Sequence, residues 1–233
     1  FTLTETSASD TLVYPVKIYT NSSQVELFVN DKSVGIKTPV NRNVLFSVPF
    51  TNGNNILMAK TMDGAEDVST VNCKIIPEKL SEAKDKFLSV GINCGSNCSF
   101  TDDKSGFTWL PDREYKPGSF GYVGGNCYRP NEYKIGITDQ VNGTRNNPLF
   151  QTFRIGATAY KFDVPDGEYE VELYFNEPKT ENLVSAENIN DIFINHTKVL
   201  QNWNIASENG RLFGVVKKFR IETEYSKGIV IKF

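Results

Sequence analysis

Alternation at a period of two residues constrains this chain more than any other feature. In "SSQVELFVNDKSVG", Val25, Leu27 and Val29 alternate with Glu26, Phe28 and Asn30 before the turn residues arrive. Successive side chains of a strand point to opposite faces, so this pattern predicts a strand with one buried face, followed by a hairpin. "LVYPVKIYT", "NVLFSVPF", "TNGNNILMAKTMDGAE" and "DVSTVNCKII" continue the rhythm, and the Asn-Gly and Asp-Gly steps at 52–53 and 63–64 mark tight turns. Short strands with turn signals at near-regular spacing predict a small immunoglobulin-like sandwich over residues 1–76.

The segment 77–87, "PEKLSEAKDKF", is charged, opens on proline and loses the alternation, which places a linker there. From 88 to 233 the strand candidates return, longer and more aromatic: "FLSVGINCG", "LFQTFRIG", "AYKFDV", "EYEVELYF", "NDIFINHTKVL", "VVKKFRIETE" and "KGIVIKF". "VPDGEY" reads as a turn between two of them. The predicted class is all-β: two β-sandwich domains in tandem, the second a larger jelly roll.

Charge and length exclude some functions. A net charge of −3 gives no electrostatic reason for a nucleic-acid partner. No run approaches the roughly 20 apolar residues of a membrane-spanning helix, and "FTLTETSASD" is not a signal peptide. Its abrupt start in mid-pattern suggests a segment of a longer protein. The chain has one histidine, His196, in the hairpin-turn sequence "NHT", so histidine-based nucleophilic catalysis would rest on that residue alone. Cys73, Cys94, Cys98 and Cys127 fit no zinc spacing, and neither a metal nor another cofactor is expected. A Cys98–Cys127 bridge and four buried thiols are both open. The N-x-S/T triplets at Asn21, Asn97, Asn142 and Asn195 are read as chance in an asparagine-rich chain.

Two resemblances add to this reading. "VKIYTNSSQVELFVNDKSVG" resembles the immunoglobulin-like domain that follows the catalytic barrel in bacterial glycoside hydrolase family 2 enzymes of the β-galactosidase kind. "INCGS", "GFTWLPDREYKPGSFGYVGG", "NPLFQTFRIGATAYKFDVPDGEYEVELYFNEP" and "NINDIFINHTKVLQNWNI" resemble, in order, the malectin-like domains also known as carbohydrate-binding module family 57. Family 2 hydrolases carry the two in this order. The resemblance implies a sandwich whose loops at one end bind sugar through tyrosines, a phenylalanine and an aspartate. Tyr122 aligns with one family tyrosine, and Phe150 falls on another that precedes "QT". Lys179 and Thr180 replace the aromatic pair after "YFNEP", and the family aspartate lies beyond the strand matching "GIVIKF".

Aromatic rings bind the apolar C–H face of a pyranose, while amides and carboxylates take its hydroxyls. "WLPDREY" and "GYVGGNCYRPNEY" supply Trp109, Tyr115, Tyr122, Tyr128 and Tyr133 beside Asp112, Arg113, Asn126 and Glu132. The candidate carbohydrate-binding residues are Trp109, Tyr115, Tyr122, Phe150 and Glu177, the last as a hydroxyl acceptor at a strand end. The alternative makes Trp109 and Phe120 plugs of the sandwich end, with Asp112 and Arg113 paired to each other or to backbone. A glycosidase would need two facing carboxylates. Asp102, Asp103, Glu177 and Glu187 are available, but sequence spacing brings no two of them together, and no catalytic residue is nominated. The expected role is a non-catalytic C-terminal accessory region of an exported bacterial glycoside hydrolase, periplasmic or at the cell surface. Its expected partners are an oligo- or polysaccharide and the parent's catalytic domain. A stand-alone lectin and a purely structural spacer are the alternatives.

Overall fold

The computed structural model describes residues 2–83, 89–178, 189–225 and 227–233. The chain divides into two compact units, Phe1–Glu78 and Lys79–Phe233.

The first unit holds seven strands, β1 (Thr2–Ser7), β2 (Thr11–Tyr19), β3 (Val25–Val29), β4 (Lys32–Lys37), β5 (Asn43–Thr51), β6 (Gly53–Thr61) and β7 (Glu66–Pro77). One sheet has the order β1-β7-β6-β3-β4, the other pairs β2 with β5. Val25, Leu27 and Val29 point inward from β3 and meet Val44, Phe46, Val48 and Phe50 of β5, together with Val71 and Cys73, in one apolar core. Glu26 and Phe28 take the other face, as period two requires. Asn30 and Asp31 close the β3–β4 hairpin with positive φ, a conformation these residue types tolerate.

The two turn dipeptides do different jobs. Asp63-Gly64 closes the β6–β7 hairpin, whereas Asn52-Gly53 carries the chain from one sheet to the other. Asn55, fully buried, makes that crossing possible. Its Oδ1 accepts the Thr51 N–H at 2.9 Å, and its amide donates to the carbonyls of Thr51 at 2.7 Å and Gly53 at 3.0 Å. A side chain thus satisfies backbone groups that no ladder reaches.

Of the charged segment after the first sandwich, Pro77 is the last residue of β7, paired with Ser7. A 3-10 turn, Leu80–Glu82, belongs to the second unit, where Leu80 and Ala83 are buried and the Ser81 N–H reaches the Gly118 carbonyl.

The second unit contains β8 (Gly91–Asn93), β9 (Phe100–Thr101), β10 (Thr108–Pro111), β11 (Phe120–Val123), β12 (Asn126–Cys127), β13 (Arg154–Ile155), β14 (Ala159–Phe162), β15 (Gly167–Phe175), β16 (Ile189–Ile194), β17 (Thr197–Asn204), β18 (Val215–Thr223) and β19 (Ile229–Lys232). A five-stranded antiparallel sheet runs β11-β14-β19-β16-β17. Phe120, Ile192, Ile194, Ile229 and Ile231 of that sheet are buried, as are Leu173 of β15 and Val215 of β18. Phe175 of β15 meets Trp203 of β17 edge-on, ring centroids 4.9 Å apart. His196 is exposed in the β16–β17 turn, beside Asn195 with positive φ. The expected strand over "LFQT" is instead one helical turn, α1 (Pro148–Gln151), because Pro148 opens it at a position that needs no N–H donor. Of that block, Arg154–Ile155 forms a strand, paired with β12.

Candidate functional site

The loops between the short strands of the second unit are laced together by close backbone approaches. Gly95 and Gly121, both with positive φ, lie where an added Cβ would stand 2.3 Å from the carbonyl oxygens of Phe153 and Arg113. Glycine is required there by contact as well as by conformation. These approaches converge on Asp112, whose side chain is 2 % exposed. Its Oδ2 accepts the Gly95 N–H at 2.7 Å, Arg154 Nε at 3.0 Å and the Tyr160 hydroxyl at 3.1 Å. Arg154, 9 % exposed, also donates through Nη1 to the Gly125 carbonyl at 2.9 Å, and its guanidinium carbon lies 3.2 Å from the centre of the Tyr122 ring. Burial, followed by the charge of Asp112, pushes the Cys94 thiol up to about 12. The Tyr160 hydroxyl is also raised far above its ordinary value, first by burial. Both shifts favour the neutral thiol and phenol, so the cluster is an ion pair with hydrogen-bonded neutral neighbours.

Five residues nominated from sequence fall into separate surroundings. Trp109 and Phe150 come together: with Phe100 and Tyr174 they pack against Val141 and Leu149. Tyr174 bridges them, 6.1 Å from Trp109 and 5.7 Å from Phe150. Phe150 is 4 % exposed, and an added Cβ at Gly214 would lie 3.0 Å from its ring. Tyr122 lies in the other cluster with one face taken by Arg154. Tyr115 is elsewhere again, its hydroxyl donating to Asp163 at 2.8 Å and its ring under Lys161. Glu177, two residues past the end of β15, is 7 % exposed and presents almost no surface to a ligand. A single cleft lined by all five is therefore not what the structure builds. The aromatic rings of Trp109 and Phe150 serve the core because their strand and helical turn face each other there.

Asp112 and Arg113 are both engaged, but not with each other. Adjacent residues of an extended segment point to opposite sides, and Arg113 donates to the Phe120 carbonyl and the Ser119 hydroxyl while lying over the Phe120 ring. Phe120 is fully buried. Arg154, the partner of Asp112, was not singled out from sequence. Its only local signal is a lone cation in the aromatic block "LFQTFRIG", and its partner lies 42 positions away.

Among the acids offered as catalytic candidates, Asp102 is 5 % exposed. The Ser105 hydroxyl and then Arg145 hold its carboxyl well below the usual carboxylate range, which suits a structural anion and not a proton donor. Lys179, Thr180 and Glu187 lie outside the described residues. All four cysteines are free thiols. Cys98 is exposed on the loop after β8 while Cys127 sits in β12 opposite Arg154, so the Cys98–Cys127 bridge is absent. Four buried thiols are not found either, since burial is complete only at Cys73.

A family model for the malectin domain matches residues 88–232. The chain belongs to the malectin domain family. A second model, the domain of unknown function DUF4982, matches residues 12–68. Among solved structures, a Bacteroides uniformis β-glucuronidase superposes with a TM-score of 0.80 at 33 % identity, covering 99 % of this chain and 27 % of that one. A B. uniformis β-glucuronidase 2 covalently bound to cyclophellitol-6-carboxylate aziridine gives 0.80 at 34 %, over 99 % and 26 %. A calcium-binding mutant of the same enzyme gives 0.82 at 34 %, over 99 % and 27 %. No curated protein matches. This malectin-family chain thus spans about a quarter of the length of these solved relatives and matches a β-sandwich part of them.

Proposed function

We propose that this chain is the non-catalytic accessory region of an exported family 2 hydrolase that acts on β-glucuronides, and that its malectin-type unit holds saccharide close to the parent's catalytic domain. The observation that carries this is the match over 99 % of the chain to only 27 % of a β-glucuronidase. Those relatives favour a β-glucuronide over a β-galactoside as the parent's substrate. Tethering a weak saccharide contact to a catalytic domain raises the effective substrate concentration, so the gain is largest on polymers. Location in the periplasm or at the cell surface goes with such a substrate, and fractionation of the source cells tests it.

The full-length parent and a version lacking residues 88–233 should be compared on a glucuronate-containing polysaccharide and on a small chromogenic glucuronide. Truncation is expected to lower kcat/KM on the polymer by about tenfold or more and to leave the small substrate unaffected. Equal loss on both, or on neither, overturns the proposal. Burial of Phe150 and Glu177 favours a second reading, a structural spacer. That reading predicts no saccharide binding by the isolated chain in calorimetry.

A further inference from the structure

If the malectin-type unit holds saccharide, the residues that do so must present rings and polar groups to water. Phe150 and Glu177 do not, and Tyr122 and Tyr115 are committed to Arg154 and Asp163. Tyr133 does. It is 90 % exposed, more than any other large hydrophobic side chain among the described residues.

Tyr133 sits on a built loop and not on a frayed one. The loop is closed at its base by the Gly136 N–H to the Tyr128 carbonyl at 2.9 Å. That base is fastened to the sandwich twice, by Tyr128 N–H to Phe153 O at 2.9 Å and by Ile137 N–H to Gln151 O at 2.8 Å. The Tyr128 ring stacks on Phe153, centroids 4.8 Å apart and planes within 13°. At the tip, Asn131 and Lys134 form an antiparallel bridge, and Asn131 Oδ1 accepts the Tyr133 N–H at 3.0 Å. Hydrogen bonding fixes the backbone that carries the ring, so little is left to order when a ligand arrives. A tyrosine then offers large contact area at the cost of two side-chain torsions.

The charges on the same loop narrow the ligand. Arg129 is exposed and donates through Nη1 to the Glu132 carbonyl at 3.4 Å, which sets its guanidinium against the same turn. Lys134, bonded to Thr138 Oγ1 at 3.0 Å, adds a second cation, and the exposed Glu132 a single anion. A planar guanidinium carried on the same turn as an exposed ring suits a pyranose that bears a carboxylate, because a ring takes the C–H face while the fork takes the two carboxylate oxygens. The acid at Glu132 disfavours a dense polyanion, so the match is to an isolated uronate within a chain.

We propose that loop 128–136 is the saccharide-contacting element of the chain, with Tyr133 as its stacking ring and Arg129 as its carboxylate receptor, for a uronate-containing oligosaccharide. This rests on the saccharide-holding role proposed above.

The test titrates the chain with a glucuronate-containing tetrasaccharide and with the same tetrasaccharide after carboxyl reduction, by calorimetry and by NMR shifts. The acidic form is expected to bind more tightly. Tyr133→Ala should weaken both forms by about tenfold, with melting unchanged because the ring touches little of the fold. Arg129→Gln should remove the preference for the acidic form and keep binding of the reduced one. If both variants bind as the unaltered chain does, the loop is not the site, although saccharide binding stands. Equal affinity for the two forms overturns the uronate assignment. If the unaltered chain binds neither, the saccharide-holding role fails with it.

Discussion

Replacing Arg154 with methionine tests the reasoning about the Asp112 cluster most directly. Methionine fills much of the same volume and removes the charge, the Nε bond to Asp112, the Nη1 bond to Gly125 and the contact over Tyr122. Asp112 remains 2 % exposed with the Gly95 N–H and the Tyr160 hydroxyl as its donors, and its Oδ1 is buried with no hydrogen-bond partner among the described residues. Removing one member of such a pair strands the other charge, at a cost of ~3–5 kcal/mol. Both tryptophans, Trp109 and Trp203, lie in the second unit, so their fluorescence reports the unfolding of that unit alone. In urea the midpoint should fall by about 1–3 M at an unchanged slope. Adding Asp112→Asn should recover part of the loss, because a neutral amide is cheaper to bury unpaired than a carboxylate. A cost below about 1 kcal/mol for Arg154→Met, or strict additivity in the double variant, would refute the assignment of Asp112 as a buried anion held by Arg154.

Other outcomes follow from the same geometry. Gly121→Ala puts a methyl 2.3 Å from the Arg113 carbonyl at φ +148, and is expected to destabilise the second unit by more than about 2 kcal/mol in the same urea assay. Asp102 is held below its ordinary value by Ser105 and Arg145. Its contribution is therefore present above about pH 4 and lost as pH falls through the depressed folded value, so Asp102→Asn should flatten the acid limb of stability against pH. In native labelling with iodoacetamide at pH 8, the exposed Cys98 should react first. Cys73 and Cys94, both raised by burial, should react only after denaturation, as peptide mapping will show.

Much of the first sandwich was legible because its signals are local. The alternation of Val25, Leu27 and Val29 names the buried face, and Asn30-Asp31 and Asp63-Gly64 announce hairpins, since strand period and turn chemistry are properties of neighbouring residues. Asn52-Gly53 carries a similar dipeptide yet joins two sheets, a choice made by Asn55 and by which strands each neighbour pairs with. Composition also put aromatic and charged residues in the loops of the second unit. It had no means of telling a ring that faces a ligand from one that faces the core.

That distinction belongs to tertiary structure. Trp109, Tyr122 and Phe150 read alike along the chain, but contacts from distant segments, Tyr174 for two of them and Arg154 for the third, decide what each ring does. The pairing of Asp112 with Arg154 instead of its neighbour Arg113 is of the same kind. The sequence by itself determined that the apolar side chains lie on alternate positions of short strands, hence sandwiches, because that pattern is written within a few bonds. Which loop residues are spent on holding the sandwich together, and that Tyr133 is left to water, only the fold decided, since those contacts form between positions the chain keeps far apart.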